Sequence, residues 1–119
     1  MNLIAGSASP GGVLLAGGLN LALTLPALRR DTLTVGVRAG ALRVHQRAGD
    51  LALPGQVELA EISGSDTFVH VHTQIGELVA QLTGVHLFAL GEPITLFLNP
   101  AQAYVFGASG DLLTAPQKN

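Results

Sequence analysis

At 119 residues the chain fits a single domain with its own core, and its lack of cysteine excludes disulfides and thiolate metal sites. The net charge of −2, histidines neutral, leaves no basic footprint for nucleic acid. Charged residues are only 12% of the chain, about half the usual share, and mean hydropathy is +0.45, so part of the surface is expected to lie against another protein surface.

The opening MNLIAGSAS lacks the basic n-region of a secretory signal. The uncharged run GGVLLAGGLNLALTLPAL, residues 11–28, is about as long as the shortest membrane-spanning helices. It holds Gly-Gly pairs and Pro26, however, and Leu19, Leu21 and Leu23 alternate with Asn20, Ala22 and Thr24. That period of two predicts strands, with VLLA and LNLALT forming a hairpin around Gly17-Gly18. PALRR (26–30) and AGALRV (39–44) each predict one helical turn. The Arg29-Arg30 doublet reads as a solvated turn. TLTVGVR (32–38) is rich in β-branched residues and predicts a strand.

HQRAGDLALP (45–54) is expected to be a mobile loop, ending in a Pro54-Gly55 turn signal. QVELAEI (56–62) and DTFVHVHT (66–73) predict two strands closed by Gly64-Ser65. Alternation places Val57, Leu59 and Glu61 on one face of the first strand. In the second it places Phe68, His70 and His72 together. ELVAQL, PITLFL and a closing AYVF/DLLTA hairpin follow, with VHLFAL (85–90) as a short helix crossing the barrel. Turn signals recur every eight to twelve residues or so, as in a barrel or sandwich of short strands.

Chemistry-bearing patterns are sparse. The sequence contains no Walker phosphate loop, no dinucleotide fingerprint and no Gly-x-Ser-x-Gly elbow. His70-x-His72 is a spacing that can aim two imidazoles at one metal, but a site needs a third ligand from elsewhere; a solvated or interfacial strand face is the competing reading. Glu58 and Glu61, three apart on a strand, are expected on opposite faces, with Glu61 at a barrel end bonded to backbone. Phe68 could stack a nucleobase, yet the flanking strands carry no basic side chains, and no nucleic-acid partner is expected.

The order Val57, Glu61, Ile62, Gly64, Asp66, Thr67, His70, Val71 resembles the transport-associated oligonucleotide-binding-type (TOBE) domain, the C-terminal regulatory part of carbohydrate importer ATPases of the ABC class. Met1-Asn2 is similar to the family's Met-Asn pair, where the chain leaves the nucleotide-binding domain. LNLALTLP resembles its short strand ending in Leu-Pro. Gly36, Val37, Arg38 and Leu42 match its Leu-Gly-Ile-Arg-Pro-Glu pattern and the apolar pair after it, and GELVAQLTG (76–84) followed by LFALGEPITLFLNPAQAYVFGASGDLL (87–113) resembles the terminal pattern. The chain departs from the family at Ala39-Gly40, in place of Pro-Glu, and at Gly107, where Asp follows the Phe. Maltose-type and glycerol-3-phosphate-type importers are both similar, and the opening MNLIAG resembles the latter more.

The resemblance implies an all-β, OB-fold-like Greek-key barrel over residues 1–119, with additional β-hairpins and one or two short helical turns. It implies that the chain is the C-terminal part of a longer ABC ATPase, with ATP and magnesium held upstream and no cofactor or catalytic group here. The implied partners are its own nucleotide-binding domain, a second copy of the subunit, the transporter's membrane subunits and a regulatory protein. The implied place is the cytoplasmic face of the membrane. Met1, Asn2, Gly36, Arg38, Glu61, Gly64, Thr67 and Gly91 are the family-pattern structural positions. Phe68, His70, His72, Tyr104 and Phe106 are the candidate interaction surface. The alternative is a small-oxyanion domain, since related shorter domains bind molybdate or tungstate. Ser63, Ser65 and Thr67 would then supply hydroxyls, against the repulsion of Asp66.

Overall fold

The computed structural model describes residues 1–23 and 32–116. Its strands are β1 (Asn2–Ser9), β2 (Gly12–Leu15), β3 (Asn20–Ala22), β4 (Thr32–Val37), β5 (Leu42–Arg43), β6 (Leu51–Ser63), β7 (Asp66–Thr73), β8 (Gly76–Thr83), β9 (Pro93–Leu98), β10 (Tyr104–Phe106) and β11 (Leu112–Thr114). They form two antiparallel sheets, one ordered β11-β10-β4-β1-β2-β3 and the other β5-β9-β6-β7-β8. The result is an all-β, OB-fold-like barrel, as expected. No helix among the described residues is long and apolar enough to cross a membrane.

Alternation builds the core. Ile4, Val13, Leu33, Val35 and Val105 point inward from the first sheet; Leu53, Val57, Val69, Val71, Leu78, Leu96 and Leu98 meet them from the second. Each such side chain contributes roughly 1.5–3 kcal/mol by leaving water. Asn2 joins the sheets at one seam. Its amide donates to the Val37 carbonyl (3.1 Å) and the Val79 carbonyl (2.9 Å), while its Oδ1 accepts the Val79 N–H at 2.8 Å. Val79 lies on β8, an edge strand whose other side carries no ladder partner among the described residues. One side chain thus does there what a paired strand would do.

Several expectations need correction. β1 was not anticipated as a strand; Leu3 faces out and Ile4 in, so the adjacent apolar pair is split between faces. The stretch 45–54 is loop only to Asp50, because Leu51–Pro54 pair with Leu98–Thr95 of β9. Pro54-Gly55 is therefore no turn. Pro54 precedes the part of β6 that meets β7, so on that side its missing N–H leaves no gap in a ladder. A Cβ on Gly55 would collide with the His72 carbonyl oxygen and come within 2.7 Å of Val71 Cγ1. The glycine lets two strands approach. Of AGALRV, only Ala39–Ala41 forms a 3₁₀ turn, and β5 follows at once. PALRR lies outside the described residues.

VHLFAL forms no helix. Its backbone is claimed by the barrel instead: the His86 N–H donates to Thr67 Oγ1, the Gly91 N–H to the Val57 carbonyl, and the Val57 N–H to the Glu92 carbonyl. Val85, Leu87 and Leu90 are left exposed.

The largest correction concerns β6. Val57 pairs with Val71, but Leu59 pairs with His70, so Glu58 is an extra residue in a β-bulge. The bulge inverts the alternation. Val57 is buried, whereas Leu59 and Glu61 point outward opposite His70 and Phe68. Glu61 is exposed on the outer surface, not bonded to backbone at a barrel end. Glu58 also faces outward, beside His72, so Glu58 and Glu61 share a face after all.

Candidate interaction faces

The five candidate interaction residues fall into two groups that the fold keeps apart. Phe68, His70 and His72 lie on the outer face of β7, in the five-stranded sheet; Tyr104 and Phe106 lie on the outer face of β10, in the other.

On the β7 face, cross-strand rows are set by register. Leu59, His70 and Val79 form one row, and Glu61, Phe68 and Gln81 the next. His70 Nδ1 is 3.4 Å from Glu77 and His72 Nδ1 is 3.6 Å from Glu58. The two imidazoles thus turn to different carboxylates, and no group of three or more metal-ligating side chains is gathered among the described residues.

The β10 face is apolar. The Tyr104 and Phe106 rings stack with centroids 6.4 Å apart and planes at 8°, and the Arg38 guanidinium sits 5.5 Å from the Tyr104 centroid. Gly36, opposite both Leu3 and Tyr104, makes room for this layer, since a Cβ there would meet Met1 Sδ at 2.5 Å and Phe106 at 3.1 Å. Met1 (62% exposed), Leu3 (67%) and Leu112 (54%) extend the apolar surface around the stacked rings. Leu3 and Leu112 were not singled out from sequence. The one available signal was that Leu3-Ile4 and Leu112-Leu113 are adjacent apolar pairs, of which a strand can bury only one member.

Thr67, Gly64 and Gly91 have physical roles. Thr67 is fully buried, donates its hydroxyl to the Gly84 carbonyl at 2.8 Å and accepts the His86 N–H at 2.9 Å. Gly64 holds a φ of +62° in the two-residue β6–β7 turn, and Gly91 a φ of +81° in the turn whose N–H reaches Val57. Gly107 has lost the family's carboxylate, but Asp111 fills the space: its Oδ1 would lie 2.6 Å from a Cβ at position 107. The hydroxyls named for an oxyanion are not assembled. Thr67 has its hydroxyl committed on both sides, and Asp66 faces outward, accepting from Gln81 Nε2 at 2.8 Å.

A cavity of about 300 Å³ lies between β5 and the end of β8, lined by Leu42, Arg43, His45, Gln81 and His86. Its guanidinium is already engaged. Arg43 Nη2 donates to both carboxylate oxygens of Asp50, at 2.7 and 2.8 Å, and Nη1 to the His45 carbonyl at 2.9 Å. The Asp50 side chain is 1% exposed. The Arg43 hydrogen bond holds its carboxyl below the ordinary aspartate range, against the opposing effect of burial and with help from the Arg47 N–H. A depressed folded-state value stabilises the fold above the unfolded pKa, near about 4. That stabilisation is lost as pH falls through the folded value. Asp50→Asn should flatten the acid limb of the stability curve, measured as denaturant midpoints between about pH 5 and about pH 2.5. An unchanged acid limb would remove Asp50 as its source.

A small β-barrel with two unlike outer faces, the Asn2 amide and Thr67 hydroxyl spent on backbone, defines a domain of OB-like fold. A family model described as the TOBE domain matches residues 35–106, and the chain belongs to that family. It is 33% identical over 114 residues to the sn-glycerol-3-phosphate import ATP-binding protein UgpC of Chromohalobacter salexigens. That match covers 92% of this chain but only 31% of the relative, in its C-terminal region. Among solved structures, the cytoplasmic molybdate-binding protein ModG with molybdate bound has the same fold, with a TM-score of 0.73 at 17% identity, covering 87% of this chain and 94% of that one.

Proposed function

We propose that this chain is the regulatory and dimerisation domain of the ATP-binding subunit of an ABC importer for sugars or glycerol-3-phosphate. The observation that carries the reading is the match of 92% of the chain to the C-terminal region of an import ATP-binding protein. In this reading ATP and magnesium are held, and ATP hydrolysed, by a nucleotide-binding domain upstream. The subunit works at the cytoplasmic face of the membrane, against the transporter's membrane subunits. The domain's work is mechanical. It pairs with a second copy and keeps two ATPase domains tethered while they open and close. A regulator docked on it shifts that equilibrium only if it prefers one state.

The face best suited to the second copy is the apolar one around Leu3, Tyr104 and Phe106. Its centre is aromatic, and the Arg38 guanidinium is stacked on Tyr104. Buried aromatic centres dominate interface energetics. Sedimentation equilibrium of the chain should show a concentration-dependent dimer. Phe106→Glu should weaken it at least about tenfold while leaving the circular dichroism intact. A chain that stays monomeric, or a dimer indifferent to Phe106→Glu and Leu3→Glu alike, would remove the tether from this face.

The oxyanion reading draws on the ModG likeness, which at 17% identity speaks for the fold alone. The committed hydroxyl of Thr67 and the outward carboxylate of Asp66 argue against it.

A further inference from the structure

The second outer face has a different character. Strands β6, β7 and β8 contain no lysine or arginine. Their outer side carries Glu58, Glu61, Asp66 and Glu77 around Leu59, Phe68 and Val79, with His70 between Leu59 and Val79. Leu59 is 43% exposed and Phe68 is half-buried, so the centre is open to a partner. The described arginines lie elsewhere. Arg38 stacks on Tyr104, Arg43 lines the cavity at the end of β8 with its guanidinium engaged by Asp50 and the His45 carbonyl, and Arg47 lies in the loop before β6.

This face is neither random surface nor suited to a second copy. A two-fold contact would set the same patch against itself, carboxylate against carboxylate, and like charges across an interface oppose association. Anionic ligands, nucleic acid and acidic lipid included, are repelled for the same reason. A surface with lysine or arginine around an apolar side chain complements it: charge steers the encounter and fixes register, and the apolar contact supplies affinity. His70 and His72 lie 3.4 and 3.6 Å from Glu77 and Glu58, and Gln81 Nε2 donates to Asp66.

We infer that the outer face of β6–β8 docks a basic protein surface with an apolar centre, separate from the face that takes the second copy. The inference stands on this face alone and does not rest on the importer reading.

The test is an amide NMR titration of the full chain. The probe is a short lysine-rich peptide with a central phenylalanine, and its glutamate-for-lysine counterpart is the control. The expected result is saturable shifts confined to β6–β8, weakened by added salt, with none from the control. Glu61→Lys combined with Glu77→Lys should reduce affinity at least about tenfold, and so should Leu59→Ser, a substitution on the exposed side that spares the core. The double charge reversal should leave the chain's own dimerisation unchanged. Shifts scattered over both sheets, affinity unmoved by the charge reversal in a folded variant, loss of the dimer on charge reversal, or equal binding to anionic vesicles would each overturn the proposal.

Discussion

Replacing Asn2 with alanine should destabilise the chain by roughly 2–4 kcal/mol. The side chain makes three hydrogen bonds, and its loss leaves the Val79 N–H and carbonyl and the Val37 carbonyl without these partners at the seam between the sheets. Unsatisfied backbone groups at a half-buried site cost about 1–3 kcal/mol each where water cannot reach them, and less where it can. Asn2→Asp should be no milder, because it keeps an acceptor for the Val79 N–H but turns a carboxylate oxygen toward two carbonyls. Urea unfolding of the variants settles the matter. An unfolding free energy within about 0.5 kcal/mol of the parent would mean the seam is held by packing alone.

An equal or larger loss is expected for Gly55→Val. The glycine is crossed by the β7 backbone, and the first added carbon meets the His72 carbonyl oxygen, an atom that cannot turn aside like the end of a side chain. Strands β6 and β7 must separate, at a cost of about 3 kcal/mol or more, and the variant should be mostly insoluble or unfolded. Gly40→Ala is the internal control. Nothing lies within 4 Å of a Cβ there, and the change should stay within about 0.5 kcal/mol. A folded, stable Gly55→Val chain would show that the close approach is not required.

These two residues show what the sequence could and could not reveal. Strands such as PITLFL and DTFVHVHT were legible because β-branched alternation between turn residues has a direct physical cause. Gly55 was misjudged because a glycine after proline looks the same whether it turns the chain or admits a neighbouring strand. VHLFAL looked helical because short apolar runs fit either period; the hydroxyl of Thr67 and the backbone of Val57, both distant in sequence, settled it. The family pattern pointed to Asn2, Gly36 and Thr67 without giving the contacts they make, since each contact depends on a partner on another strand. The candidate interaction residues lie on outer faces, and their division between two sheets is tertiary information. The bulge at Glu58 left no trace, because Val-Glu-Leu-Ala-Glu-Ile alternates well enough to hide an inserted residue.

That inserted residue has a geometric consequence. Without Glu58, Val57 and Leu59 would be neighbours in an unbroken ladder against Val71 and His70, and β6 would run straighter. With it, the longest strand bends and twists more strongly partway along its 13 residues. Just before that bend, Val57 is tied to the turn before β9. A single-codon deletion would keep almost every contact type and every core side chain, yet flatten the wall of the barrel. Curvature in this molecule is encoded by length rather than by residue identity.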